Sequence, residues 1–236
     1  MKRIRISITR GLKLRPSLGC TLLQEREKMI KLTDITDEEI DTITKEIADA
    51  FYDYEYNKED QGLIKFIPNR ESMYTYIGGI IRATYRSGIL YTTSEKREGF
   101  LVLSGEGVGT VGFVDGMKMI SAEKRALGGF KKMKEFISAC FSNGHSIETR
   151  MKQAKKKFIK IEVLVVRKEF QKQGFMKKML RYVYDMADKK GISVILDTDD
   201  KDKSERYRYL GMELDRVRNC GENFHMYDLI RKPEIA

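Results

Sequence analysis

Tryptophan is absent from the 236 residues, and proline occurs three times, cysteine three times and histidine twice. With so little proline and no low-complexity tract, the composition offers nothing for a long disordered linker. No run of eighteen apolar residues occurs, so no membrane-spanning helix is expected and the chain reads as soluble, without a membrane partner. Cys20, Cys140 and Cys220 are odd in number, widely spaced and outside any CxxC pattern, which points to a reducing, cytoplasmic setting. His145 and His225 lie about eighty residues apart, away from any cysteine cluster, so no metal site is expected.

The first 28 residues hold eight Lys or Arg against two acids and no continuous apolar core of seven, so they are not a secretory signal. A transit peptide is one reading of this acid-poor leader. The plainer one is a loose basic extension, 1–28, ahead of a folded domain, 29–236.

What is present is charge and core. The formal net charge is +10 and 41% of the residues are hydrophobic, enough to bury a core in one large or two small domains. The basicity is local, because residues 118–157 hold eleven Lys or Arg against three acids while the rest, beyond the leader, is slightly acidic. Such an excess suits a polyanion: nucleic acid, anionic lipid or a phosphorylated cofactor.

Along the chain, a short strand over 29–33 precedes a helix announced by Thr36 and Glu39, a capping box, with Ile40, Ile43, Ile47 and Phe51 recurring on one face. A second helix spans about 71–88, and two β-rich runs at 89–93 and 99–104 flank the polar turn SEKRE. The glycine-rich stretch 105–116 precedes no strand-to-helix junction and reads as a loop. Residues 118–157 read as two or three helices broken at Gly128-Gly129 and Asn143-Gly144. A fourth strand over 160–168, a helix over 172–190 and a fifth strand over 191–198 form a βαβ unit with parallel neighbours. A short helix ending at Gly211 and a hairpin turning around NCGE, 219–222, complete the chain.

The stretch VVRKEFQKQGFMKKML, 165–180, carries the chemistry. The first amides of a helix have no internal partner and sit at the positive end of the helix dipole, so a phosphate is a natural guest. Gly174 lets the backbone approach a bulky anion, and Lys172, Lys177 and Lys178 add charge around it.

Gln171-Lys172-Gln173-Gly174-Phe175-Met176, with the preceding Leu164-Val165-Val166, resembles the acyl-CoA signature Gln/Arg-x-x-Gly-x-Gly/Ala of the GCN5-related N-acetyltransferase (GNAT) family. RYRYLGM resembles the family's later Tyr-x-x-x-Gly-Phe element. The resemblance covers about 158–230 in motif and 29–104 in element order only, and Met176 stands where the family has Gly or Ala.

The resemblance implies an α/β (α+β) fold with a mixed, mostly antiparallel twisted sheet splayed between strands 4 and 5, flanked by helices, with a helical insertion at about 118–157 before strand 4. It implies acetyl-CoA as acyl donor, its diphosphate held around Gln171, Lys172, Gln173, Gly174, Phe175, Met176 and Lys177. Its pantetheine arm would pair with Leu164, Val165 and Val166 as an added strand does. It also implies direct transfer to a primary amine in a ternary complex.

Tyr207 stands where the family has a tyrosine near the cofactor sulfur, suited to protonating the leaving thiolate. An ammonium acceptor must lose a proton first, and Glu162 is the candidate base; alternation would place it on the same face as Leu164 and Val166. The inserted helices are expected to shape the acceptor pocket.

Two other readings stand beside this acyltransferase: a nucleic-acid-binding protein using the basic 118–157 segment, and a scaffold of the same fold that binds acyl-CoA without turning it over. No nucleic-acid-binding motif is recognised. The acceptor's identity is left open, as is oligomeric state, a homodimer included.

Overall fold

The computed structural model describes residues 28–57 and 60–234. All of the basic leader except Lys28 lies outside the described residues, as does Cys20.

Among the described residues seven strands form one sheet: β1 (Ile30–Lys31), β2 (Leu90–Thr92), β3 (Gly99–Gly105), β4 (Phe158–Val166), β5 (Ser193–Thr198), β6 (Glu213–Gly221) and β7 (Phe224–Arg231). Their order is β1-β2-β3-β4-β5-β7-β6, and only β4 and β5 pair in parallel. The helices are α1 (Asp37–Tyr52), α2 (Arg70–Arg86), α3 (Phe113–Ala126), α4 (Phe130–Phe141), α5 (Ile147–Gln153), α6 (Phe175–Asp188) and α7 (Lys201–Tyr209). The mixed, mostly antiparallel sheet implied by the sequence is present, with the insertion as three helices between β3 and β4.

Local chemistry explains most boundaries. The Glu39 amide donates to the Thr36 hydroxyl (3.2 Å) and the Thr36 amide to the Glu39 carboxylate (2.9 Å), so α1 starts where the capping box says. Asn69 caps α2 through the Ser72 amide (2.9 Å).

Helix α3 begins at Phe113, inside the stretch read as loop. Gly112 supplies no capping side chain and Gly116 is tolerated within the helix, so no sequence signal marked that start. The last hairpin turns at Glu222-Asn223 instead of over 219–222. Asn219 and Gly221 stay in the ladder, opposite His225 and Phe224, and Asn223 takes the left-handed conformation (φ 51°) that asparagine tolerates.

Helices cover both faces of the sheet. Met179, Leu180, Val183 and Ala187 of α6 pack on Leu101, Leu103, Ile159, Val194 and Leu196. On the other face Ile40, Ile43 and Ile47 of α1 and Met73, Ile77 and Ile81 of α2 pack on Leu90, Phe100, Val102, Val163 and Val165. Burial of these stripes, more than helix propensity, fixes the helices in place.

Two features of β4 position the site. Its register with β3 slips at one point: Val102 faces Val163 but Leu103 faces Ile161, leaving Glu162 as the extra residue of a β-bulge. The parallel pairing of β4 with β5 covers only Phe158 to Lys160 against Ser193 to Ile195. Beyond it the strands run on to Val166 and Thr198 without meeting, so the sheet opens into a wedge.

Candidate active site

The wedge is the mouth of a cleft of about 800 Å³. At one end lies the turn from β4 into α6, and at the other a chamber walled by α1, α2, α4 and β7.

The turn contains a single 3-10 turn, Lys168–Phe170, and two left-handed residues, Lys172 (φ 63°) and Gly174 (φ 87°). A Cβ at Gly174 would meet nothing within 4 Å, so its glycine is required by conformation, and open space lies over it. Among the described residues the amides of Gly174, Phe175, Met176 and Lys177 make no hydrogen bond, and the first bond of α6 is Lys178 N–H to the Gly174 carbonyl (3.0 Å). No side chain caps this helix. Four unbonded amides around a glycine, with Lys172 on the cleft wall, present donors suited to an anion.

Ten of the twelve residues singled out in the sequence line this one cleft: Glu162, Leu164, Val165, Val166, Gln171, Lys172, Gly174, Phe175, Met176 and Tyr207. Gln173 turns away, its amide donating to the Glu169 carbonyl (2.9 Å), and exposed Lys177 does not line the cleft. Lys178 donates to the Thr93 carbonyl (2.7 Å) instead of flanking these amides. Met176, where the family has Gly or Ala, is partly buried against the core beneath α6 and also lines the cleft. Gln171 donates to the Val166 carbonyl (3.3 Å), tying the end of β4 to the turn.

Glu162 does not share a face with Leu164 and Val166, because the bulge breaks the alternation. Its carboxylate accepts from the Ser104 hydroxyl (2.6 Å) and pairs with Lys160 (2.8 Å), whereas Leu164 and Val166 pack on the α6 side. Burial works against the Lys160 charge, but Asp197, Glu162 and Glu148 outweigh it and hold the ammonium's pKa above its usual range. Tyr207 is partly buried beside α6 and lines the cleft; burial raises its pKa, and its hydroxyl has no hydrogen-bond partner among the described residues.

Sequence reasoning expected the inserted helices here, and α4 supplies Phe136 and Cys140, but it missed the chamber's acids beyond Glu162. Asp197 lines its floor, bonded to Arg218 (3.3 Å), which also pairs with fully buried Asp228 (3.0 Å). Asp199 accepts from the Tyr56 hydroxyl (2.8 Å) and the Leu63 amide (2.8 Å) and pairs with Lys203 (3.0 Å). Burial works against its ionisation, yet Lys203 and these donors keep its pKa below the usual carboxylate range. The signal that would have found Asp197 and Asp199 is their place at the carboxyl end of a parallel strand, where open sheets bind ligands. Cys140 also lines the chamber, its thiol pushed up to about 12 by burial and so kept protonated.

Strands that part over an open wedge, with unbonded helix N-terminal amides at one end and a carboxylate-bearing chamber at the other, suit a coenzyme A-dependent acyl transferase. The match of residues 35–212 to the Acetyltransferase (GNAT) family model shows that the chain belongs to that family, which uses acetyl-CoA as acyl donor. It is similar in fold to a Corynebacterium glutamicum structure described as histone acetyltransferase HPA2 and related acetyltransferase, at 10% identity and TM-score 0.53, over 89% of this chain and 97% of that one. It is likewise similar to arylalkylamine N-acetyltransferase 2 from Aedes aegypti, at 12% identity and TM-score 0.52, over 88% and 99% of the two chains. No curated protein matches it in sequence. Among the described residues no helix is long and apolar enough to cross a membrane.

Proposed function

We propose that residues 29–236 form a single N-acetyltransferase domain that moves the acetyl group of acetyl-CoA to a primary amine by direct attack in a ternary complex. The observation that carries this reading is the wedge between β4 and β5, which opens the amide cradle and the chamber into one cleft. Acetyl-CoA is the acyl-donor substrate. Its diphosphate is assigned to the amides of Gly174 to Lys177 with Lys172 nearby, and its pantetheine arm to the edge of Leu164 to Val166 that β5 leaves unpaired.

Glu162 accepts the proton that an ammonium acceptor must lose, from a position fixed by Ser104 and Lys160. The amine nitrogen then bonds to the thioester carbonyl carbon, the carbon–sulfur bond breaks, the Tyr207 hydroxyl gives its proton to the departing thiolate, and the second proton that the nitrogen sheds on becoming an amide returns to the tyrosinate. Holding both reactants in one cleft supplies much of the acceleration. The protonated state of Cys140 speaks for direct transfer and against a cysteine-bound acyl group.

Calorimetry with acetyl-CoA, followed by thiol release with an amine panel, tests the reading. Saturable heat is expected, together with a fall in kcat/KM of about a hundredfold in Glu162→Gln. Absence of heat would sink the assignment, and heat without turnover of any amine would leave a binding scaffold. A second reading, polyanion binding, is favoured by the outer face of α3 and α4, where Lys118, Lys124, Lys131 and Lys132 lie exposed beside Phe113 (85% exposed) and Phe130 (74%). Salt-dependent retention on polynucleotide tests it.

A further inference from the structure

The transferase reading leaves the acceptor open, and the walls of the chamber narrow it. We propose that the acceptor is a small monoamine with an aromatic or alkyl body, and that the chamber excludes polypeptides and polycationic amines. This inference rests on the transferase reading and deepens it.

Beyond the bulge the chamber is faced by Phe51 and Tyr54 near the end of α1, Tyr76 of α2, Phe136 of α4, and Phe224 and Met226 of β7. Such walls return little to a ligand covered in hydroxyls, whose lost water bonds they cannot replace, and suit an apolar body.

The α1–α2 connection and the β6–β7 hairpin supply facing walls of the chamber, Tyr54 and Leu63 on one and Phe224 and Met226 on the other. These walls are joined. The Gln61 amide donates to the Asn223 carbonyl (2.8 Å) and Lys65 to the Glu222 carbonyl (2.5 Å).

Fully buried Asp60 reaches His225 (2.8 Å), the Tyr227 hydroxyl (3.0 Å) and the Lys201 amide (3.0 Å). Above them Phe66, Phe136 and Phe224 form a three-ring cluster, with centroids 4.9, 5.1 and 6.4 Å apart, that ties the connection to α4 and β7. An extended polypeptide needs a trough open at both ends, whereas a small amine needs one mouth.

Charge points the same way. Asp197 on the chamber floor is offset by Arg218 (3.3 Å), whereas Lys160 is shared among Glu148, Glu162 and Asp197 (2.8, 2.8 and 3.8 Å) and leaves exposed Glu162 only partly balanced. Asp199 is offset by Lys203, whose ammonium sits over the rings of Tyr54 (4.0 Å) and Tyr56 (4.5 Å). The chain's own lysine thus fills the aromatic box that a second substrate cation would seek. One ammonium finds Glu162; further ones find no unbalanced acid in the chamber.

The test uses the full chain with acetyl-CoA and three probes: phenethylamine, spermidine, and a short peptide carrying a free N-terminus and a lysine. Thiol release is expected to give phenethylamine a kcat/KM at least about tenfold above the other two. Phe136→Ala is expected to lower that value about tenfold while acetyl-CoA affinity stays within about twofold. Should that variant fail to fold, Phe136→Leu, which keeps most of the volume, is expected to shift the preference in the same direction.

Equal or faster turnover of spermidine or the peptide overturns the inference but leaves the transferase reading standing. So does failure of phenethylamine to bind the protein–CoA complex at millimolar concentration by calorimetry. Absence of acetyl-CoA binding overturns both.

Discussion

The two ends of the cleft are built by different means. At the proposed cofactor end the groups assigned to the ligand are backbone amides, Gly174 to Lys177, presented by one turn, and the nearby side chains are exposed or turned away. At the acceptor end they are side chains drawn from α1, α2, α4, β4, β5 and β7, locked by ion pairs and ring contacts. The difference teaches where each end is fragile: the first to backbone conformation, the second to the identity of single side chains.

The largest effect is expected at the floor of the acceptor end. Arg218 is 2% exposed and pairs with Asp228, which is fully buried, with Asp197 (3.3 Å), and with the Cys140 carbonyl (2.6 Å). Arg218→Met leaves Asp228 with Arg150 (2.7 Å) as its remaining charge partner in this network and should cost about 3–5 kcal/mol in urea unfolding. Replacing both partners, Arg218→Met with Asp228→Leu, should recover a large part of that loss. A single variant as stable as the parent would show that the floor is not held by its charges.

Next in size is Tyr207→Phe, expected to lower kcat about a hundredfold with acetyl-CoA affinity nearly intact. Unchanged turnover would remove the hydroxyl from the chemistry and leave Tyr207 as a packing residue of the wall.

Gly174→Ala comes third. The left-handed φ of 87° costs a residue with a Cβ roughly 1–2 kcal/mol, so the turn should relax and acetyl-CoA affinity fall about tenfold, although a Cβ has space there. Calorimetry reads it directly.

A smaller effect separates the chamber's balanced charges from one that is not. Glu123, on α3 and half-buried, has no ion-pair partner among the described residues, and burial pushes its carboxyl from 4.5 up to about 7. Because the folded state holds this proton more tightly, stability is fully present below about pH 4.5 and declines as pH rises through 7. Glu123→Gln should therefore be more stable than the parent at pH 8, by about 1 kcal/mol given partial exposure, and equal to it at pH 4. Equal stability at both pH values would show that the carboxyl is solvated in the folded chain.

The same contrast explains what the sequence disclosed. Backbone-built features depend on short contiguous stretches, so the Thr36-Glu39 cap, the helix after Gly174 and the strand before it were legible, as was the wedge once the family resemblance was admitted. Glu162's true facing was not, because a bulge is decided by pairing with β3, sixty residues earlier in the chain. The chamber was legible only as a place for the inserted helices: Tyr54 and Phe224 each sit in an unremarkable local pattern, and only the tertiary fold brings them into one chamber with Phe136.

The smallest effect gives the sharpest test of the contrast. Lys172 is the lysine that lines the turn end of the cleft, so a site built on charge should depend on it heavily. A site built on amides should not, because an exposed ammonium is screened by salt and its attraction for a phosphate is worth well under 1 kcal/mol. Lys172→Ala should therefore raise the acetyl-CoA dissociation constant less than about threefold, and the difference should vanish at 0.5 M salt, roughly where the screening length falls below 5 Å. Gly174→Ala should keep its larger penalty at high salt, since backbone strain is not screened. If the order is reversed, with the lysine variant weaker than the glycine variant at low salt and both equal at high salt, the cofactor end is held by side-chain charge after all and the division between the two ends fails.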